Sequence, residues 1–376
     1  MSNVTDTRSP DGPGRLGRLY QGLTTVDFVG RKKVWFSISI VIIVLGIASL
    51  GIRGFNLGID FKGGSSWEVI APNTSLSAIT TAVDHAGLSQ PSIEKLGSDT
   101  YEVTADLNGD SAAQQLSITN DVVNAMAKVA GVNPEQVSTS SVGPTWGGQI
   151  TNRAIEALVV FFIAVVSYIS VRFEPKMAAA AFVAMVHDLL VTVGVYSLFG
   201  LQITPDTVIA ILTILGYSLY DTVVVFDRVR DNTGGVLKSG DLTYSEMVNL
   251  SMNQTLARSI NTSLVAILPV FSVLIVGAYV LGATTLQSYG LALTVGLLSG
   301  AYSSIFIASP LLAIMKEREP RFRDLAERVY AKSDRRTLSP AAAARLGSEG
   351  AQRAVRSTQP GASKGVVARA RKQKRR

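Results

Sequence analysis

No cysteine occurs in the 376 residues, which excludes disulfide frameworks, thiol catalysis and Cys-ligated zinc. Histidine is nearly as scarce: His85 and His187 are the only two, too few for a histidine metal cluster. No GxxxxGK sequence followed by Ser or Thr is present, so a nucleotide motor of the P-loop kind is excluded. Charge is thin as well. Asp, Glu, Lys and Arg make up 17% of the chain, against roughly 25% in a soluble domain. None of these features implies a cofactor, a metal or an enzyme.

What is abundant is apolar residue, 47% of the chain, and it is clumped. Val34–Ile52 runs 19 residues without a charge, directly after Arg31, Lys32 and Lys33. About 20 apolar residues cross a bilayer core. A signal peptide has the same order of parts, but some 30 mostly polar residues precede this run and no small-residue cleavage site stands out; an uncleaved membrane helix is the expectation. Five more spans are expected at 150–171, 177–199, 207–226, 262–281 and 291–315.

The net charge of +7 is spread unevenly: +3 over residues 1–33, −6 over 53–150, −2 over 151–315 and +12 over 316–376. Basic residues sit in alternate connections: the amino-terminal segment, Arg172 and Lys176, Arg228, Arg230 and Lys238, and the tail. By the positive-inside rule both termini are expected in the cytoplasm, with residues 53–149 outside. The segment 227–257 then becomes a cytoplasmic connection, in which Leu242–Leu256 reads either as an amphipathic helix on the membrane surface or as an ordinary helix joining two spans. The tail from 316 to 376 reads as a disordered basic extension that touches anionic lipid. It has too few aromatic residues for base recognition, so no sequence-specific nucleic-acid partner is expected.

The exterior segment is too long for a loop. Ser66–Ile70, Pro91–Leu96, Tyr101–Asp106 and Gln136–Val142 are strand-like, and Leu76–Ala86 and Ser111–Ala130 have helical periodicity. The order βαββαβ predicts a ferredoxin-like α+β domain between the first and second of six helices in a polytopic α-helical membrane protein. Gly63 and Gly64 suggest a flexible joint to the first helix.

Ionisable groups at membrane depth are costly and point to function. Asp188, Asp221 and Arg258 stand out. Asp221 falls 14 residues into the fourth span, roughly 21 Å along the helix axis. Arg258, Asn261 and Thr262 share a face of the fifth helix near that depth, which makes an Asp221–Arg258 pair plausible, and Thr192 lies one turn from Asp188. The competing reading is structural: buried polar pairs also hold helices together, and an arginine at a helix end can reach out to the interface. His187 is expected to face away from Asp188 and to be structural. Small residues (Gly194, Gly200, Gly216, Gly296, Gly300) permit close helix approach, and Pro269 and Pro310 can kink their helices.

Four blocks carry a family resemblance: GFNLGIDFKGG (Gly54–Gly64, with Gly58, Asp60, Gly63 and Gly64), VGPTWG (Val142–Gly147, with Gly143 and Pro144), GYSLYDTVVVFDRVRDN (Gly216–Asn232, with Ser218, Tyr220, Asp227 and Arg228) and RSINTS (Arg258–Ser263). In this order and spacing the sequence resembles the SecD/SecF family of bacterial protein-translocation subunits, within the resistance-nodulation-division superfamily. The resemblance covers about residues 30–315. It implies pairing with SecD, association with the SecYEG channel and a YajC-like accessory subunit, and use of the proton gradient to draw a translocating polypeptide across the cytoplasmic membrane. It also implies that Asp221 and Arg258 are the coupling acid and its arginine. The family often has Asn just before that acid, where this chain has Tyr220.

With no nucleotide site, an ion gradient is the available energy source. One charge crossing the field yields about 2.3 kcal/mol per 100 mV. The chain alone fits proton or sodium as the coupling ion. Other readings are a small-molecule or lipid exporter of the same superfamily, which usually carries two six-helix halves in one chain, and a passive scaffold. An intramembrane aspartyl protease would need a paired carboxylate dyad, whereas Asp188 and Asp221 come at different depths.

Overall fold

The computed structural model describes Leu19, Thr24 and residues 26–88, 91–107, 109–239, 242–280 and 284–332. Helix α1 (Lys32–Arg53) is followed by the short α2 (Ile59–Lys62). The α/β unit expected to lie outside, called the exterior unit for that expectation, comes next: β1 (Gly64–Ile70), α3 (Leu76–His85), β2 (Ser92–Leu96), β3 (Thr100–Ala105), α4 (Ala112–Ala130) and β4 (Ser138–Val142). The membrane body then continues with α5 (Pro144–Arg172), α6 (Pro175–Phe199), α7 (Pro205–Ser239), α8 (Tyr244–Ser272), α9 (Thr284–Ser303), α10 (Ser309–Glu317) and α11 (Pro320–Lys332). A π-helical stretch, Val273–Val280, extends α8, and another, Ser304–Ala308, joins α9 to α10.

Among the described residues, six helical segments are long and apolar enough to cross a membrane: Lys32–Arg53, Thr145–Arg172, Pro175–Phe199, Pro205–Gly235, Tyr244–Ala278 and Leu286–Glu317. The third, fourth and sixth form the buried centre, while the first, second and fifth lie outside them. The outer helices show their apolar side chains at the surface, as Ile40, Val44, Val160, Ile163 and Val265 do, which is the arrangement lipid requires.

The exterior sheet has the order β2-β3-β1-β4, with every neighbouring pair antiparallel. Alternation along β1 sends Trp67 and Val69 to one face and Ser66 and Glu68 to the other. Trp67, Val69, Tyr101 and Val103 pack under α3 and α4, which contribute Ile79, Val83, Val122 and Met126. Burying each such side chain contributes about 2–3 kcal/mol. A Ser111–Gln114 capping box starts α4 and Gly131, at φ 70°, ends it, as expected where donors and carbonyls must be capped.

Two differences from the sequence expectations concern the cytoplasmic connection and the tail. Helices α7 and α8 run on well past the apolar stretches, and Tyr244, Met247, Val248, Asn249 and Met252 are buried rather than spread on a surface. The tail is not wholly an extension: α11 places Phe322, Leu325 and Val329 in the same apolar cluster as Phe28, Phe173, Phe226 and Tyr244. Their i, i+3, i+7 spacing gives one apolar stripe, which basic composition had masked. Residues 333–376 lie outside the described residues. The segment 26–29, irregular backbone leading into a turn, is held by Asn side chains of α8. Asn249 Oδ1 accepts from Phe28 N at 2.8 Å, and Asn253 exchanges two bonds of 2.9 Å with the Val26 backbone.

The glycine pair after α2 is a packed joint. Gly63 and Gly64 have φ of 79° and 128°, and a Cβ on Gly64 would lie 2.7 Å from Ala105 O. Gly143 caps α5 with Pro144 in its first turn. Gly147 in that helix rests on the Phe61–Gly63 backbone, where a Cβ would lie 2.8 Å from Phe61 O. The two short glycine blocks therefore meet in space, where only residues without a Cβ fit. Gly58 N donates to Ile203 O at 2.9 Å and Ile203 N to Asn56 O at 2.7 Å, tying the joint to the connection before α7.

Candidate functional site: two buried carboxylates in the membrane body

Both acids on the central helices are buried, Asp188 at 1% and Asp221 at 4% relative exposure. A lone carboxylate there would be prohibitively costly, so its donors define the site. Asp188 Oδ2 accepts from Ser218 Oγ of α7 at 2.6 Å and Ser303 Oγ of α9 at 2.8 Å. Its Oδ1 accepts from Ser299 Oγ at 2.8 Å and faces His187 Nδ1 at 3.1 Å. Thr192 Oγ1 bonds the Asp188 backbone carbonyl at 2.8 Å. Asp221 Oδ1 accepts from Ser259 Oγ of α8 at 2.7 Å, and its Oδ2 from Ser304 Oγ at 2.5 Å.

Helix approach makes these bonds possible. A Cβ on Gly300 would lie 2.8 Å from Ser218 Cβ, and one on Gly296 would run into the Ile214 side chain. Helix α9 thus lies against α7 closely enough for short serine side chains to reach across. At Ser303 and Ser304 the helix opens into its π turn, so two consecutive serines serve two different carboxylates. Local π turns of this kind concentrate at functional sites. Gly194 and Gly46 make the matching close contact between α6 and α1, with a Cβ on Gly46 2.7 Å from Gly194 Cα. Gly216 has open space instead, and Gly200 ends α6 at φ 67°.

The expected Asp221–Arg258 pair is not formed. Arg258 Nη2 instead donates to Tyr220 Oη at 3.3 Å, and Ser259 takes the inward position beside Asp221. Successive helical residues point about 100° apart, so only one of the two can face the acid. Arg258, Asn261 and Tyr220 make an exposed polar strip at this depth, with Tyr220 49% exposed. Tyr217 Oη donates to Thr262 O at 2.6 Å and Thr262 Oγ1 to Arg258 O at 2.7 Å. Asp227 pairs with Arg172 at 3.2 Å, and Arg228 Nε donates to Gln254 at 2.7 Å; both lie roughly two turns beyond Asp221 on α7. His187 does meet Asp188, contrary to expectation, with Nδ1 3.1 Å from Asp188 Oδ1.

Sequence reasoning missed Ser259, Ser299, Ser303 and Ser304. The spacing of Ser299 and Ser303 at i, i+4 in an apolar helix was the available signal. It also missed a row of acids on the open face of the exterior sheet. Glu94, Glu102 and Glu68 are direct cross-strand neighbours. A cavity of about 340 Å³ between that face and the membrane body is lined by Asp60, Glu68, Glu102 and Asp206. Burial, then the carboxylates of Glu94, Glu68 and Asp60, push Glu102 up to about 7. Asp60 is raised by burial and by Asp206, and Glu94 by burial, partly offset by the Asn56 amide bond of 2.6 Å.

The sequence profile described as "protein export membrane protein SecD/SecF, C-terminal" matches residues 122–318, and that of the "SecD/SecF GG motif" matches residues 48–69. The chain belongs to the SecD/SecF family. Among its relatives, the protein translocase subunit SecF of Streptomyces coelicolor is 44% identical over 321 residues, 85% of this chain and 84% of that one. The SecF of Rhodothermus marinus is 35% identical, covering 80% of this chain and 96% of its own. The crystal structure of SecDF, a translocon-associated membrane protein from Thermus, matches with a TM-score of 0.68 at 30% identity over 78% of this chain. The chain spans 39% of that SecDF polypeptide. In SecD/SecF terms, Gly58–Gly64 is the GG motif, and the structure packs it on the VGPTWG block.

Proposed function

We propose that this chain is a SecF-type subunit of the Sec protein-export machinery, which works beside a SecD partner and uses the proton gradient to promote late polypeptide movement across the bacterial cytoplasmic membrane. The observation that carries the reading is Asp221: a carboxylate buried at membrane depth, held by two serine hydroxyls, in a member of the SecD/SecF family. A carboxylate with two donors is stable ionised, and on protonation it gives up one acceptor, so a proton there changes which serine it holds. Ser304 belongs to the π turn and Ser259 to α8, so that exchange acts on two helices.

The exposed Arg258, Asn261 and Tyr220 strip supports a polytopic partner, since polar groups at this depth are not left facing lipid. That SecDF is a longer single chain supports SecD as the partner. SecYEG and a YajC-like subunit are the further partners of this reading. The exterior unit is ferredoxin-like in its order and serves as the moving arm. Both termini lie in the cytoplasm and residues 53–149 outside; a reporter fused after Asp110 is expected to read exterior and one after Lys332 cytoplasmic, and the reverse at either site would overturn that orientation.

Asp221→Asn tests the reading. It keeps the size and an acceptor oxygen but removes the proton site. The variant is expected to accumulate and bind SecD while gradient-dependent export falls by about a hundredfold or more, the range general acid–base roles command. Wild-type, gradient-dependent export in cells with no other copy would sink the reading.

A further inference from the structure

His187 takes no part in the reading above, yet both its ring nitrogens are engaged inside the protein. Nδ1 lies 3.1 Å from Asp188 Oδ1 and Nε2 3.0 Å from Ser39 Oγ of α1. Ser39 Oγ lies 3.3 Å from Tyr302 Oη, which donates to Trp35 O at 2.9 Å. His187 and Ser39 are 6% and 4% exposed, while Tyr302 is half-buried. The imidazole and Tyr302 rings stack at 6.0 Å. A continuous line of polar atoms therefore runs from the buried carboxylate of α6 to Trp35, in the first turn of α1 beside Arg31, Lys32 and Lys33.

The chemistry of this line depends on the charge of Asp188. With Asp188 ionised, Nδ1–H donates to it and Ser39 donates to Nε2. Tyr302 uses its proton on Trp35 O, so the Ser39–Tyr302 contact goes unmade. With Asp188 protonated, its O–H donates to Nδ1, Nε2–H to Ser39, Ser39 to Tyr302 and Tyr302 to Trp35 O. Every contact is then a hydrogen bond, and all the donors point one way, toward the end of α1. A histidine whose two nitrogens bridge separate partners is the side chain suited to pass a proton through.

We infer that His187 is the relay through which Asp188 releases its proton toward the first turn of α1, with Ser39 and Tyr302 as the outer members of the route. The step balances. Asp188 gives its carboxylic proton to Nδ1 as Nε2 gives its own to Ser39 Oγ. Ser39 passes its hydroxyl proton to Tyr302 Oη, and the partly exposed Tyr302 turns its own O–H away from Trp35 O to release that proton to solvent. Asp188 loses one proton, water gains one, and each intermediate group keeps its count. The line is reset once the imidazole returns to its Nε2–H tautomer. The inference rests on the reading of Asp221 as the coupling acid. The two acids share one turn of α7, through Ser218 and Asp221, and adjacent serines of α9 and its π turn, through Ser303 and Ser304.

The test uses the full chain with its SecD partner in vesicles carrying an imposed proton gradient. His187→Ala is expected to accumulate and bind the partner normally. Its gradient-dependent export should fall by about tenfold or more and be restored in part by added imidazole but not by pyridine, which has one nitrogen and cannot relay. A purely structural histidine gives no such selective rescue. Wild-type export by His187→Ala, or a loss that imidazole leaves untouched, overturns the inference. If His187→Ala does not accumulate, Tyr302→Phe reads the same route, since it removes one hydroxyl and keeps the ring: a several-fold loss supports the relay and an unchanged rate overturns it. Asp221→Asn in the same vesicles separates the two ideas. If it abolishes gradient dependence while His187→Ala does not, only the relay fails; if it leaves gradient dependence intact, the coupling acid itself has been misassigned.

Discussion

The exterior unit and the membrane body solve opposite packing problems, and only the second keeps a cluster of charged and hydroxyl side chains at its centre. The exterior core is apolar, built on Trp67, Val69, Ile79, Tyr101, Val103, Val122 and Met126, and the polar side chains of its strands look outward. At the centre of the membrane body Asp188, Asp221, His187, Ser218, Ser299, Ser303 and Ser304 are all buried among apolar neighbours such as Ile214, Leu215 and Leu219, while the outer helices turn Ile, Val and Leu outward. In water, burying apolar surface drives folding. In lipid that force between helices is absent, so close packing and hydrogen bonds hold the helices together. An apolar core can tolerate rearrangement of its surface. A polar core ties helix positions to the protonation of its members, which suits a part that must change state.

The contrast can be broken first at Trp67. Trp67→Ala in the full-length protein should cost the exterior unit about 3–5 kcal/mol and leave the helices in place. Limited proteolysis should then cut within residues 64–142 while the spans remain intact. Simultaneous loss of both would mean that the two regions fold as one.

The next effect comes from the acid row. Glu102 is raised from 4.5 to about 7, so the folded state holds a proton that the unfolded chain releases. Its stabilising contribution is complete below about 4.5 and is lost as pH rises through about 7. At 1.36 kcal/mol per pH unit, the change is on the order of 3 kcal/mol. The melting temperature of the exterior unit should fall between pH 5 and pH 8, and Glu102→Gln should flatten that fall and raise the melting temperature at pH 8. An unchanged slope in the variant would assign the dependence elsewhere. Because Asp60 and Asp206 face the same cavity from α2 and α7, the docking of the sheet on the membrane body should loosen over the same range.

The smallest of the three effects tests packing by small residues. A Cβ on Gly194 would lie 3.0 Å from Gly46 Cα. Gly194→Val should separate α6 from α1 and cost about 1–3 kcal/mol, read as a lower denaturation midpoint in detergent. No change would show that α1 is held by the His187–Ser39 contact and by the bond from Ser197 Oγ to Ser49 Oγ at 3.1 Å rather than by the glycine contact.

Much of this was legible in the residues. Long uncharged runs have few folded alternatives, so Val34–Ile52 marks a spanning helix without any tertiary information. The strand-like run Ser66–Ile70 and the helical periodicity of Ser111–Ala130 did the same for the exterior elements. Asp188 and Asp221 were conspicuous because acids in such runs are rare. Less was legible where two periodicities overlapped, as in α11, where a basic face hid the Phe322, Leu325 and Val329 stripe.

Composition and periodicity alone determined that the chain has membrane helices, that a separate α+β unit interrupts them, and that two acids lie among apolar residues. Each of those facts is local, fixed by the preferences of neighbouring side chains and by the cost of charge in lipid. Only the tertiary structure decided the partners of those acids. Ser259 rather than Arg258 beside Asp221 is a matter of helix rotation, and Ser303 and Ser304 serving separate carboxylates is a matter of one π turn. Rotation and local unwinding are set by how closely neighbouring helices approach, here where Gly300 meets Ser218 and Gly194 meets Gly46. That distance belongs to pairs of segments far apart in the chain, and no single stretch of sequence carries it.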